Sequence, residues 1–229
     1  MQAVPALDAR LSATAGLCRP GLPVADIGCD HGKLTAYLAC SGLYPRVIGA
    51  DLRPGPLSKA VLAVKSARCE DRVDLRLGDG LSVLQPYEVG TVVLAGVSAQ
   101  TTIEILQAAP WVFSPQGPRL VLVPATKHAT LRGWLYQQGF ALAADLPVQA
   151  GGKWYAVMAA DYTGCPVVPT LAQCVYGETG QHPGGADYAA LQRGKLRKYR
   201  LGLADTDPLA HEIDTLLKEA KAAGLACSL

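Results

Sequence analysis

Apolar strand-like runs alternate with helix-like segments from about residue 22 to residue 162, and this alternation limits the possible folds more than any other feature of the chain. The first five runs lie at 23–28, 46–51, 73–78, 91–97 and 119–125. Helix-like segments lie at about 32–42, 55–69, 99–110 and 128–138. The runs are nearly continuous in apolar residues, which is typical of parallel strands buried on both faces. The pattern therefore predicts right-handed crossovers and a doubly wound α/β fold.

Two more strand-like runs follow, FALAADLPV and KWYAVMAAD, with no helix-like segment between them. Their junction holds Gly151 and Gly152, a pair typical of the turn of a β-hairpin. The second of these strands should then run antiparallel to the rest, and the hairpin should close the sheet at one edge. We therefore expect a mostly parallel, seven-stranded sheet.

The alternation ends in the segment 163–186, whose many Gly, Pro and Thr residues predict a linker. Two helical patterns follow at about 187–203 and 208–223. The second begins with Asp207 as a predicted N-cap and Pro208 in the first helical position. The expected organisation is a main domain (1–162), a linker (163–186) and a C-terminal helical hairpin (187–229).

The composition of the 229 residues argues against several classes of protein. No apolar run reaches the roughly 18 residues that a membrane-spanning helix needs, and the N-terminus lacks the basic and apolar blocks of a signal peptide. The seven cysteines form no CxxC pair, and the four histidines stand far from any paired cysteines. We therefore expect reduced thiols, no metal site and a cytoplasmic location.

The net charge of +2 is uninformative, but the charges are unevenly distributed. Residues 187–202 hold five Lys or Arg against one Asp. Such a stretch is either a solvated helix face or a surface that contacts phosphates. The charge pattern alone leaves both interpretations open.

The first strand-like run leads into a turn with spaced glycines, VADIGCDHGKL at residues 24–34. A phosphate-binding P-loop would need Lys followed by Ser or Thr, and Leu34 follows Lys33 here. In a dinucleotide-binding turn, the place of Asp30 would be taken by a glycine that lets the backbone approach a pyrophosphate. A carboxylate there repels a diphosphate but tolerates an ammonium or a sulfonium. S-adenosylmethionine (SAM) carries both of these groups and no phosphate.

Acidic or glycine residues also follow each of the first four strands in order, as in Rossmann-like, class I SAM-dependent methyltransferases. The candidate cofactor residues are Asp26, Gly28, Asp30, His31, Gly32, Asp51, Asp79, Gly80 and Ala95. Asp51 is placed to accept hydrogen bonds from a ribose diol, and Asp79 to meet the adenine edge. His31 is placed to bond either the SAM carboxylate or the start of the next helix. Each residue alone could be a cap or a turn, but the ordered set favours SAM.

Seven segments lie within about residues 7–162, namely LDARLSATA, ADIGCDHGKLTAYL, GPLSKA, LRLGDGL, VLAG, LRGWLYQQGF and GKWYAV. In these segments the chain resembles the TrmK family of bacterial tRNA (adenine-22-N1)-methyltransferases. The resemblance implies transfer of a methyl group from SAM to N1 of an adenine in tRNA. The predicted helical hairpin is similar in layout to the C-terminal appendage of that family.

The resemblance also implies candidate catalytic residues, namely Asp8, Arg10 and Gly96. Asp8 would accept a hydrogen bond from the amino group of the target base, and Arg10 would bind a phosphate or the SAM carboxylate. Equally, Asp8 could simply cap the start of an amphipathic helix. The tRNA would contact the basic hairpin through Arg193, Lys195, Arg197, Lys198 and Arg200. A monomer or weak dimer is expected.

Three segments depart from the family pattern on the side of the target. AGVSAQ (95–100) replaces AGMGG, VPA (123–125) replaces QPN, and YGETG (176–180) replaces an FGP-type motif. The side chains of Ser98 and Ala99 should strain the backbone or displace the base, so we expect slow methyl transfer that glycine at both positions would restore. The alternatives are a SAM- or tRNA-binding paralogue with little catalysis and an NAD-linked oxidoreductase, which Asp30 disfavours.

Overall fold

Seven strands form one sheet in the computed structural model, which describes residues 4–222, with side chains up to residue 220. The strands are β1 (Val24–Ile27), β2 (Val47–Asp51), β3 (Val73–Leu77), β4 (Thr91–Ala95), β5 (Arg119–Val123), β6 (Phe140–Ala150) and β7 (Lys153–Tyr162). Their order in the sheet is β3-β2-β1-β4-β5-β7-β6. β1 to β5 are parallel, and β7 runs antiparallel to both of its neighbours. The predicted doubly wound, mostly parallel sheet with an edge hairpin is confirmed.

Helices fill the intervals as the sequence pattern predicts. They are α1 (Ala9–Leu17), α2 (Lys33–Cys40), α3 (Pro54–Ala67), α4 (Ala99–Gln107), α5 (His128–Gln137), α6 (Leu171–Tyr176), α7 (Gly185–Arg200) and α8 (Pro208–Ala222). The two predicted C-terminal helices are present, and Asp207 Oδ1 accepts a hydrogen bond from the N–H of Leu209 at 2.8 Å as its capping role requires. Residues 1–3 and 223–229 of the predicted domains lie outside the described residues.

The parallel strands are buried on both faces because helices cover the two sides of the sheet. Ala25 and Ile27 of β1 belong to one hydrophobic core together with Leu106 of α4. Val24 of the same strand belongs to a second core together with Leu38 of α2. Successive side chains of a strand point to opposite faces, so a continuously apolar strand supplies both cores.

The hairpin of β6 and β7 extends past the carboxyl end of the parallel strands. β5 pairs only with residues 158–160 of β7, whereas the pairing of β7 with β6 continues to Lys153. Gly151 and Gly152 at its turn have φ of 55° and 73°, which suits a two-residue turn that needs positive φ at both positions. The free half of the hairpin therefore stands beside the edge where the parallel strands end.

The expected linker differs from a plain loop, because residues 163–186 contain α6. Thr170 and Gln173 form a reciprocal capping box at its start. A capping box and one apolar turn are short signals, and the surrounding Gly and Pro residues mask them in the sequence.

A fully buried ion pair anchors this C-terminal segment to the main domain. Arg132 of α5 donates to both carboxylate oxygens of Asp145 on β6, at 2.7 and 2.9 Å, and both side chains are 0% exposed. Arg132 also donates to the carbonyl of Val175 at 3.2 Å and to the Tyr188 hydroxyl at 3.2 Å. Gly177 of the YGETG segment lies directly against the Asp145 carboxylate, where any side chain would collide. That segment therefore has a packing role in this chain.

Candidate active site

A cavity of about 690 Å³ opens at the carboxyl ends of β1, β2 and β4. Strand order reverses between β1 and β4, and such a switch point is where open α/β sheets bind ligands. The predicted residues that line the cavity are Asp8, Arg10, Asp26, Gly28, Asp30, His31, Asp51, Asp79, Gly80, Ala95 and Gly96. Folding thus brings together eleven of the twelve predicted site residues, which span 89 positions of the chain.

The glycine turn holds a left-handed backbone at three of its positions. Gly28, Asp30 and Gly32 have φ of 76°, 49° and 67°. The amides of Gly28 and Cys29 both donate to the carbonyl of Ala50 at 2.8 Å, which ties the turn to β2. Asp30 is one of the few residue types that tolerate this conformation, and its side chain is 62% exposed at the cavity mouth.

Gly32 is the one predicted cofactor residue that does not line the cavity. It forms the N-cap of α2, and a Cβ there would lie 2.7 Å from both the Cα and the Cβ of Ala60 on α3. The absence of a side chain lets α2 begin directly against α3. Gly32 therefore shapes the site through helix packing.

Asp51 at the end of β2 is buried, and its carboxylate is fixed by the backbone. Its Oδ2 accepts from the N–H of Asp30 at 3.1 Å, and its Oδ1 accepts from the N–H of Arg53 at 3.0 Å. Each carboxylate oxygen can accept a second hydrogen bond. The arrangement presents two oriented acceptors to a ligand in the cavity, as a ribose diol would require.

Asp26 at the end of β1 is a second buried carboxyl group in the cavity wall, 3% exposed. Its Oδ2 accepts from the Thr35 hydroxyl at 2.7 Å. Burial raises the pKa of Asp26 to about 6, and the nearby charge of Asp51 adds to the shift. A carboxylate in this position gains stability from a cationic ligand.

His31 is held by charged neighbours at the cavity mouth. Its Nε2 lies 3.0 Å from Lys59 Nζ, and its Nδ1 lies 3.6 Å from Asp30 Oδ2. Because an ammonium group only donates, Nε2 faces Lys59 as an acceptor, and Nδ1 faces the Asp30 carboxylate. The ring therefore links the glycine turn to Lys59 of α3.

Asp8 and Arg10 reach the cavity from α1, at the side of β4. Asp8 is the N-cap of α1, and its Oδ1 accepts from the N–H of Leu11 at 2.8 Å. The capping interpretation is confirmed, and the other oxygen faces Arg10 Nη2 at 3.8 Å. Arg10 lies beside Gly96, whose φ of 92° favours glycine. Asp8 is thus both a helix cap and part of the cavity wall.

The structure overturns the expectation about Ser98 and Ala99. Ser98 has φ −67° and caps α4 by accepting from the N–H of Thr101 at 3.0 Å, so it carries no left-handed strain. Ala99 is 0% exposed and packs in the core, so its methyl group cannot displace a target base. Glycine at both positions would remove a cap and loosen the first turn of α4. The argument for slow turnover from these two residues is wrong.

Only part of the predicted basic surface on α7 is exposed and unpaired with a carboxylate in the described residues. Lys195, Arg197 and Lys198 are exposed. Arg193 is 4% exposed. Arg200 is engaged by Asp205 at 2.7 Å and by Asp214 at 3.1 Å. The helical period places successive basic residues on different faces, which a count of charges along the chain does not reveal.

Several cavity residues were not anticipated from the sequence. Leu52 follows Asp51 and is 62% exposed, which is unusual for an apolar residue at the end of a buried strand. Thr101 and Ile105 also line the cavity, four residues apart on one face of α4. The helical period would have identified Thr101 and Ile105. The position of Leu52 directly after Asp51 would have identified that residue. Cys29 lines the wall as well, and burial raises the pKa of its thiol, so it is protonated.

Within residues 4–222, no group of three or more His, Cys, Asp or Glu side chains could hold a metal ion. In the same part of the chain no helix is long and apolar enough to cross a membrane.

Comparison with known proteins identifies a family model described as a methyltransferase domain, which matches residues 7–158. A curated relative, the tRNA (adenine(22)-N(1))-methyltransferase of Bacillus subtilis (strain 168), is 29% identical over 155 residues. The match covers 68% of this chain and 65% of the relative, so the chain spans just under two thirds of that protein's length. The resemblance stated from the sequence motifs is confirmed by this relative.

Two solved structures share the fold. The first is Sp1610 of Streptococcus pneumoniae in complex with S-adenosyl-L-methionine, with 23% identity and a TM-score of 0.77 over 91% of this chain and 98% of that one. The second is TrmK of M. capricolum in complex with S-adenosyl-homocysteine, with 18% identity and a TM-score of 0.77 over 95% of this chain and 97% of that one. At these identities the likeness concerns the fold.

Proposed function

The chain belongs to the methyltransferase-domain family, and from that premise we propose that it transfers a methyl group from SAM to N1 of an adenine in tRNA. The observation that carries the proposal is the cavity at the sheet switch point, whose buried and exposed carboxylates suit a cationic, phosphate-free ligand. A substrate of this kind implies a cytoplasmic enzyme. The relative from Bacillus subtilis supports the choice of tRNA and of adenine N1.

The cavity residues fit SAM in charge and in hydrogen-bonding capacity. Asp51 would accept hydrogen bonds from the two ribose hydroxyls with its fixed oxygens. Asp79 and Gly80 would lie at the adenine. Asp26 and Asp30 supply negative charge for the amino-acid ammonium and the sulfonium. When bound, SAM supplies a methyl carbon that a base nitrogen can attack in line.

On the target side, the chain has to position the base and exclude water. N1 of neutral adenine already carries a lone pair, so no residue has to remove a proton before the transfer. Asp8 would accept from the adenine amino group with its free oxygen, and Arg10 would hold an anionic group, either a phosphate or the SAM carboxylate. Gly96 leaves room for the base beside β4. Fixed geometry is then the main source of rate acceleration.

The direct test is incubation of the full chain with SAM and unmodified bacterial tRNA, with methylated positions mapped by reverse-transcription stops. A stop at a single adenine supports the proposal. SAM binding without any methylated position would instead identify a binding paralogue, and NADH binding tighter than SAM binding would exclude both.

We predict that SAM affinity rises with pH between about pH 5 and 7. Asp26 has a pKa of about 6 in the free protein, and a cationic ligand beside it would lower that pKa. Binding below pH 6 must then release a proton, so affinity at pH 5 should be up to about tenfold weaker than at pH 7. Calorimetry at pH 5, 6 and 7 measures the change.

Two variants identify the group responsible. Asp26→Asn cannot ionise and should bind SAM with nearly the same affinity across this range. His31→Gln, which removes the imidazole at the mouth, should keep the dependence. A wild-type affinity that does not vary with pH would contradict the role given to Asp26.

We also predict that the exposed part of α7 contributes tRNA affinity without contributing SAM affinity. The triple variant Lys195→Ala, Arg197→Ala and Lys198→Ala should weaken tRNA binding and flatten its dependence on salt. Each lost phosphate contact lowers the slope of log K against log salt by about 0.7–0.9. Filter binding at several salt concentrations gives the slope.

The control for generic loss of positive charge is Lys65→Ala with Arg68→Ala at the end of α3, outside the cavity and α7. This double variant should leave the slope unchanged. An unchanged slope in the triple variant would mean that the α7 residues form only a solvated helix face.

A further inference from the structure

Tyr155 on β7 lies outside the predicted site, but its ring contacts the cavity residue Arg10. The Arg10 guanidinium carbon lies 5.3 Å from the centroid of the Tyr155 ring, within the range of a cation–π contact. The Nη1 atom of Arg10 would lie 3.7 Å from a Cβ built on Gly96. The guanidinium is therefore placed between an aromatic face and the bare backbone at the end of β4.

The other contact of this guanidinium is weak. Among the described residues its ion-pair partner is Asp8, and the distance of 3.8 Å is too long for a hydrogen bond. The Asp8 carboxylate is itself occupied on its other oxygen as the cap of α1. A long, flexible arginine side chain with such a partner needs a further contact to hold one orientation, and the Tyr155 ring supplies it.

Tyr155 stands on a rigid support. It pairs with Val148 of β6 in the half of the hairpin that extends past β5. The adjacent Trp154 points to the opposite face, where its ring meets Tyr188 edge-on at 6.5 Å and fills the space beside Gly184. The strand that carries Tyr155 is thus fixed on its other face by the start of α7.

We propose that Tyr155 is a positioning residue that holds the Arg10 guanidinium over Gly96 in the cavity. The proposal rests on the proposed function for the consequence of this placement, because Arg10 is there given the anionic group of the substrate or cofactor. The contact itself is independent of the reaction. Since the tyrosine acts through Arg10, its loss should alter the same step that loss of Arg10 alters, and to a smaller extent.

The test compares Tyr155→Leu, Tyr155→Phe, Arg10→Ala and the double variant Tyr155→Leu/Arg10→Ala. Arg10→Ala shows whether Arg10 contributes to SAM affinity, to KM for tRNA or to kcat. Tyr155→Leu should change the same parameter by roughly five- to thirty-fold, and Tyr155→Phe, which keeps the aromatic face, should retain most of it. In the double variant the two losses should not multiply, because the ring has no guanidinium left to support. Independent, multiplying losses would overturn the proposal.

A second measurement does not depend on activity. In the native chain the Nε–H resonance of Arg10 should carry a ring-current shift that Tyr155→Leu abolishes and Tyr155→Phe keeps. A native chain that methylates no tRNA would contradict the proposed function, while this resonance would still decide whether Tyr155 positions Arg10. An unchanged resonance in Tyr155→Leu would overturn the positioning role whatever the activity.

Discussion

Replacing Asp145 with alanine is expected to lower the free energy of unfolding by about 3–5 kcal/mol, because it leaves a buried arginine without its counter-charge. The side chains of Asp145 and Arg132 are both 0% exposed and are joined by two hydrogen bonds of 2.7 and 2.9 Å. Arg132 cannot lose its proton at any accessible pH, so its charge would remain in the interior. Urea unfolding followed by circular dichroism measures the loss.

The same substitution should release the C-terminal helices. Arg132 donates to the carbonyls of Cys174 and Val175 at 3.2 Å, and the amide of Glu178 donates to Asp145 at 3.4 Å. These bonds hold α6 and the residues just after it on the main domain, and the bond from Arg132 to the Tyr188 hydroxyl holds the start of α7. In the Asp145→Ala protein, limited proteolysis should therefore cut the 163–186 segment before it cuts the sheet.

Two variants separate the buried charge from other effects. Asp145→Asn keeps the shape and one acceptor, so it should lose less stability than the alanine variant. Asp161→Ala breaks the pairs with Arg119 at 2.7 Å and with Arg19 at 3.0 Å, where the aspartate side chain is 28% exposed, and should lose less stability than Asp145→Ala because water reaches these charges. An Asp145→Ala protein as stable as Asp161→Ala would show that the buried pair contributes little.

Asp51→Ala is expected to weaken SAM binding by about 10- to 150-fold. Charge-assisted hydrogen bonds contribute about 1.5–3 kcal/mol each, and every 1.4 kcal/mol corresponds to about tenfold in affinity. The carboxylate also fixes the glycine turn through the amide of Asp30 at 3.1 Å, so its loss removes the ligand contact and loosens the turn together. Calorimetry with SAM gives the affinity.

The matched control is Asp71→Ala, whose side chain is 78% exposed and which lies outside the cavity. It removes the same charge without touching the site and should leave SAM affinity unchanged. Thermal unfolding of Asp51→Ala checks that the chain remains folded at the temperature of the titration. SAM affinity equal to that of the native chain would remove the ribose role from Asp51.

The succession of strands along the chain and the residues at their ends are features that a single sequence carries locally. A run such as RLVLV is apolar on both faces because β5 is covered on both sides, and that property is visible without any partner. Asp26 and Asp51 lie near the ends of β1 and β2 and Asp79 follows β3, and the carboxyl ends of parallel strands meet at one edge. The cavity could therefore be predicted from positions alone.

The roles of individual side chains depend on contacts between residues far apart in the chain. Gly32 looks like a cofactor residue in the motif, yet its neighbour is Ala60, and Ala99 looks like an obstacle to the base, yet it lies in the core. Arg193 counts as a basic residue in the sequence but is 4% exposed on the folded α7.

The sequence by itself determined the sheet, the glycine turn and the series of acids, because strand burial and turn conformation are encoded within a few neighbouring residues. Only the tertiary structure decided that Arg132 meets Asp145 and that Tyr155 lies under Arg10, pairs separated by 13 and 145 positions. An ion pair or a cation–π contact acts over a few ångströms, so its existence depends on how the elements pack and leaves no periodic trace along the chain.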